Sequence, residues 1–157
     1  MNPPFTVIYL AADHAGFAYK EIVKQYLLTK EYNVIDCGAD EYVEGDDYPD
    51  YMVRTAKEVS RDQSSIGIIF GGTGEGEAIV ANRFPHVRAT VCYGGPQAMD
   101  IITIGRQHND TNVLSIGARF VAEAELILLV EKWLNTPFSN DERHVRRLAK
   151  IKNIHTI

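Results

Sequence analysis

The chain has 157 residues, 45% hydrophobic and 24% charged, which fits one globular domain with a sizeable core. Its net charge of −5 at pH 7 argues against nucleic-acid binding, which needs an excess of Lys and Arg on one face. No apolar run approaches a membrane span, so no membrane partner is expected. Met1-Asn2-Pro3-Pro4 lacks the basic and apolar segments of a secretory signal, which makes cytoplasmic residence the expectation.

In chain order, residues 6–11 read as a buried strand, and Asp13-His14 follow it. Residues 17–28 carry apolar side chains at three- and four-residue spacing, a helical pattern. Residues 33–37 form a second strand stopped by Gly38, and the acidic, irregular segment 40–49 leads into a helix over 50–60. Asp47 is a candidate cap ahead of Pro49. A third strand at 66–70 ends in a glycine loop, which opens a helix through Ala81. A fourth strand at 88–93, a helix after Pro96, a fifth strand at 112–116 and an apolar helix at 121–134 complete the pattern. Strands alternating with helices imply a single-domain, Rossmann-like three-layer αβα sandwich over 1–157, with a five-stranded, mostly parallel sheet. Ligands of such sheets bind outside the carboxyl ends of the strands, where Asp13-His14, the glycine loop and Tyr93-Gly94 should gather.

That loop, Gly71-Gly72-Thr73-Gly74-Glu75-Gly76-Glu77, is bare enough for its backbone N–H groups to approach an anion. It is not a Walker A motif, because no Gly-Lys-Ser/Thr follows, and it fails the dinucleotide fingerprint, because Glu77 stands where the last Gly belongs. A tight strand-to-helix turn would need neither Glu75 nor Glu77, although either could be a favourable first-turn helix charge. Hydroxyl and carboxylates beside an anion cradle suggest chemistry on a small anionic substrate.

A C-terminal basic helix is expected near 140–153. Ser139-Asn140-Asp141-Glu142 resemble a helix start, and Arg143 and Arg147 fall close together on one face. Val145, Leu148 and Ala149 lie roughly opposite, so that the apolar face could dock while the arginines clamp a phosphate. A merely solvated basic face is the alternative. Cys37 and Cys92 form no CxxC pair and read as small core residues. The five histidines give no metal-ligand spacing, so no metal is expected.

Ala12-Asp13-His14-Ala15-Gly16, Asp36-Cys37-Gly38, Asp47-Tyr48-Pro49, the loop from Gly71 to Glu77 with Ala81-Asn82, Arg106-Gln107-His108-Asn109-Asp110-Thr111-Asn112, and Arg143-His144 with Arg147 stand in one order. In these motifs, spread over nearly its whole length, the chain resembles the type B ribose-5-phosphate isomerases. Their wider group includes allose-6-phosphate and galactose-6-phosphate isomerases. The resemblance implies aldose–ketose isomerisation through a cis-enediolate, without metal or cofactor. One branch of the family has a cysteine base at the position of Gly71, which excludes that mechanism here. The chain resembles the branch with a glutamate base, at Glu77.

By the same resemblance Thr73 would move a proton between O1 and O2, and the N–H groups of Gly72, Thr73, Gly74 and Gly76 would stabilise the enediolate. His108 would open the furanose ring. Asp13 would orient ring hydroxyls and assist, and Asn109 would bind the sugar. His14, Arg119, Arg143 and Arg147 would hold the phosphate, with His144 nearby, and Tyr48 would line the pocket. Glu75 is left as a bystander or helper. A homodimer with an active site shared between subunits is also implied. The alternatives are an isomerase of a six-carbon sugar 6-phosphate and a non-catalytic sugar-phosphate sensor.

Overall fold

Five short apolar runs pair side by side. A computed structural model describes residues 5–154; the reading of Met1-Asn2-Pro3-Pro4 lies outside them. The strands β1 (Ile8–Ala12), β2 (Val34–Asp36), β3 (Ile66–Gly71), β4 (Ala89–Cys92) and β5 (Val113–Gly117) form one sheet in the order β2-β1-β3-β5-β4. Every adjacent pair is parallel, so the sheet is parallel throughout. Among the described residues six α-helices connect and cover it: α1 (Phe17–Thr29), α2 (Tyr48–Arg61), α3 (Glu75–Ala81), α4 (Ala98–Asn109), α5 (Glu123–Leu134) and α6 (Glu142–Lys152).

Period-two alternation sorts the strand residues into two cores. Ile8, Leu10, Ile68, Phe70, Leu114 and Ile116 pack with Val23 and Leu27 of α1 and with Leu126, Leu129 and Trp133 of α5. Ala11, Ile69 and Val113 face the other way, against Met52, Ala56 and Val59 of α2 and Ala81 of α3. All six residues of β3 are buried, as expected of a central strand covered on both faces.

The chain runs outward from β1 to β2 and then crosses back past β1 to β3. The connections after β1 and β3 therefore diverge, leaving a crevice at the carboxyl ends of these two strands. Asp13 follows one of them and the glycine loop follows the other.

Some boundaries differ from those expected. Helix α2 begins at Tyr48 rather than 50, with Pro49 in its first turn, where a missing N–H is harmless. Asp47 occupies the N-cap position, but its side chain makes no capping hydrogen bond. The apolar helix expected from 121 begins at Glu123, after a 3-10 turn over Ala118–Phe120. Val121 is instead extended and buried, and its carbonyl accepts the Tyr19 hydroxyl at 2.7 Å. Cys92 is in the core, whereas Cys37 is only half-buried. Helix α6 falls within the expected span, yet His144 is its sole buried residue. Val145 and Ile151 are exposed, so little of the apolar face docks within this chain. Among the described residues no helix is long and apolar enough to cross a membrane.

Candidate active site

At the crevice, the loop after β3 folds back so that the first helical turn of α3 turns its acid inward. Gly74 makes this possible with φ of 76°, a left-handed conformation that suits glycine. Its carbonyl accepts the Ser115 hydroxyl at 2.6 Å, tying the loop to β5. The side chain of Glu77 comes to lie beneath the end of β3, only 3% exposed. A Cβ on residue 71 would fall 1.8 Å from Glu77 Oε1, so Gly71 is the space the carboxylate occupies.

Burial pushes the Glu77 pKa above the ordinary carboxylate range, and the nearby Asp13 charge pushes the same way. The N–H groups of Glu77 and Gly74 oppose the shift without cancelling it. Asp13 is also buried and raised, chiefly by desolvation, although its Oδ1 accepts the Gly16 N–H at 3.0 Å. Glu75 diverges from Glu77. It is exposed and accepts the Tyr93 hydroxyl at 2.7 Å. Thr73 is exposed at the loop tip, where its Oγ1 accepts the Glu75 N–H at 3.3 Å.

Three predicted side chains line the same edge. The Tyr48 ring packs on Gly76, where a Cβ would meet it at 2.7 Å. The Arg119 guanidinium lies over Gly72, and its backbone N–H donates to the Gly72 carbonyl at 3.1 Å. His14 donates its backbone N–H to Asp46 Oδ1 at 2.9 Å, and its Nδ1 lies 2.7 Å from the same oxygen. That hydrogen bond raises the His14 pKa above the ordinary imidazole value, so the ring holds its proton to higher pH. Burial alone would raise Asp46, but the hydrogen bonds from His14 and Tyr51 and the His14 charge together outweigh it and hold Asp46 below the usual carboxylate range.

In the sequence Asp46 reads as one more acid in a solvated loop, because its partner lies 32 positions away. Asp13, His14 and Asp46 place one ligand atom each within 4.8 Å of one another, so a divalent cation could be held there. Doing so would displace the His14–Asp46 hydrogen bond.

The remaining predicted residues gather at the opposite edge of the sheet. Helix α4 leaves the carboxyl end of β4 and runs back, so His108 and Asn109 arrive just before β5 begins. Arg88, at the start of β4, donates to the Asn109 carbonyl at 3.0 Å and pairs with Asp110 at 2.9 Å. Arg106 is held to the Thr136 carbonyl at 3.0 Å and stacks over Trp133. The His108 ring lies 4.1 Å, centroid to centroid, from the buried ring of His144. Arg143 and Arg147 are exposed on α6.

Asp13, His14, Tyr48, Thr73, Glu77 and Arg119 are therefore at one edge, and His108, Asn109, Arg143, His144 and Arg147 at the other. Strand β5 separates the two groups by five residues, about 16 Å of parallel strand. One small molecule cannot touch both groups of a single chain.

Fold and site together define a class: a parallel α/β protein with a glycine-rich loop and a buried carboxylate of raised pKa at its switch point. The family described as Ribose/Galactose Isomerase matches residues 8–151. The chain is 36% identical over 151 residues to ribose-5-phosphate isomerase B of Mycobacterium tuberculosis, covering 94% of this chain and 91% of that one. A Mycoplasma genitalium structure of ribose-5-phosphate isomerase B with bound ribulose-5-phosphate superposes with a TM-score of 0.87 at 35% identity, covering 93% of each chain. The Clostridium thermocellum ribose-5-phosphate isomerase B gives a TM-score of 0.87 at 34% identity, covering 94% of this chain and 96% of that one. The chain belongs to the ribose/galactose isomerase family.

Proposed function

We propose that the protein interconverts ribose 5-phosphate and ribulose 5-phosphate through a cis-enediolate, with Glu77 as the base. The observation that carries this reading is the Glu77 carboxylate, buried in the space left by Gly71, with its pKa raised by burial and by Asp13. A base so placed takes the C2 proton as the carbonyl oxygen gains charge, then returns the proton to C1. General bases of this kind contribute about 10²- to 10⁴-fold. The N–H groups of Gly72, Thr73 and Gly76 meet the developing oxyanion, at roughly 3 kcal/mol per well-aimed donor. Gly74 directs its N–H toward Glu77 instead and helps to orient the base. Thr73, at the loop tip, carries the proton between O1 and O2. Asp13 orients the hydroxyls, and Tyr48 walls the pocket.

The sugar's far end needs cations. His14, whose pKa the Asp46 hydrogen bond raises, and Arg119, over Gly72, supply two from the same edge. Arg143, Arg147, the ring-opening acid–base His108 and the sugar-binding Asn109 come from a second copy of the chain. The separation of about 16 Å along β5 supports this arrangement: a two-fold dimer would turn one copy's amino edge toward the other's carboxyl edge. The exposed Val145 and Ile151 of α6 offer apolar surface for such a contact.

The test is an isomerase assay on ribose 5-phosphate with and without a chelator. Turnover that persists with chelator supports the reading. Ligand binding without turnover or C2 exchange would instead indicate a sensor. A higher kcat/KM on allose 6-phosphate than on ribose 5-phosphate would move the substrate to the six-carbon class.

A further inference from the structure

The His108–His144 contact has a support that the isomerisation chemistry itself does not require. His144 is 1% exposed, although it belongs to a helix that is otherwise open to solvent. Its Nδ1 lies 2.9 Å from the Ser139 hydroxyl. Ser139 is fixed in turn: its backbone N–H donates to the Gln107 carbonyl at 3.1 Å, and its Oγ accepts the Asp141 N–H at 3.2 Å. Gln107 is the residue before His108. Ser139 thus ties the end of α4 to the start of α6, and the two imidazoles are clamped face to face, 34° from parallel.

We propose that His144 and Ser139 form a fixed platform that positions the His108 ring for furanose opening. The proposal rests on the assignment of ring opening to His108 made above. A ring-opening group must hand a proton to the ring oxygen and take one from the anomeric hydroxyl, so its rotation about the side chain decides whether either atom is reached. Stacking on a locked ring restricts that rotation.

The electrostatics agree with the geometry. Among the described residues, His108 on α4, Arg143 and Arg147 on α6, and Asp141 at the α6 N-cap are the charged or titratable groups that act on His144. Burial lowers the His144 pKa below the ordinary imidazole value, and His108, Arg143 and Arg147 add to the shift more than Asp141 opposes it. His144 Nε2 has no hydrogen-bond partner among the described residues, and its burial keeps it away from a sugar. In this reading His144 is a positioning residue and does not contact the phosphate.

The two substrates separate ring opening from proton abstraction. Ribose 5-phosphate closes to a furanose through its C4 hydroxyl. Ribulose 5-phosphate cannot form a furanose, because the C5 oxygen it would need carries the phosphate. Turnover of ribose 5-phosphate therefore includes ring opening, whereas solvent deuterium exchange at C1 of ribulose 5-phosphate does not.

The experiment measures both rates for the wild type, Ser139→Ala, His144→Phe, Ser139→Thr and His108→Ala. Ser139→Ala and His144→Phe should lower the ratio of turnover to exchange about 3- to 10-fold, the effect of losing one neutral hydrogen bond. Ser139→Thr, which keeps the hydroxyl, should restore the ratio. His108→Ala should lower it further. If His108→Ala shifts the ratio but the Ser139 and His144 variants leave it unchanged, or lower both rates together, the platform is overturned while His108 keeps its role. If His108→Ala leaves the ratio unchanged, the ring-opening assignment fails and the platform fails with it.

Discussion

At Glu77 burial and the Asp13 charge act on one carboxylate in the same direction, raising its pKa. The base works only when deprotonated, so kcat/KM should fall as pH drops through this raised value, above the range of an ordinary carboxylate. Glu77→Gln should lower kcat about 10³-fold. The sign for stability is opposite. A carboxylate with a raised folded-state pKa costs stability once pH exceeds its unfolded value, so the Gln variant should melt no lower than the wild type near neutrality. Steady-state kinetics and a melting curve on the same sample check both halves.

The His14–Asp46 pair gives a second pH dependence. The folded-state His14 pKa is raised, so the imidazolium persists below that value and is lost as pH rises through it, and the proposed hold on phosphate should follow it. Asp46→Asn removes the carboxylate that raises it. KM for ribose 5-phosphate should then begin to climb at lower pH than in the wild type, by up to about tenfold, with kcat less affected. A KM–pH profile that the substitution leaves unmoved would show that His14 does not act as a cation on the phosphate.

Among the elements, α1 carries a feature hidden from pattern reading. Lys20 is fully buried, with its ammonium 2.9 Å from each Asp36 oxygen and Lys24 sharing that acid at 2.8 Å. This pins the end of β2 to α1 beside the crevice. Lys20→Met leaves Asp36 short of one buried partner and should cost about 3 kcal/mol of stability, read from urea denaturation.

The strands were legible because β1, β3 and β5 are apolar runs ended by glycine or acid, and central parallel strands have that composition. The glycine loop and Glu77 were legible because their residue types are unusual at a strand end. Asp46, Ser139 and Lys20 were not. Each acts through a partner that only the folded path brings near, and each alone looks like an ordinary polar residue.

At the scale of the whole molecule, the sheet separates the predicted site residues into two groups. Parallel strands put Glu77 at their carboxyl edge, and the return run of α4 puts His108 at their amino edge. The motifs could be read from sequence as one set, but their separation depends on helix direction and strand order. Two copies related by a two-fold axis would reunite them.

Mixing two inactive variants tests this account most directly. Glu77→Gln and His108→Ala, each purified and each impaired in turnover of ribose 5-phosphate, are mixed under conditions that would exchange the subunits of the proposed dimer. A mixed dimer has one site with both substitutions and one site with neither. Activity should return to about a quarter of wild type for random exchange of equal amounts. No gain over the separate variants, with mixed dimers shown to have formed, would contradict a site built from two chains.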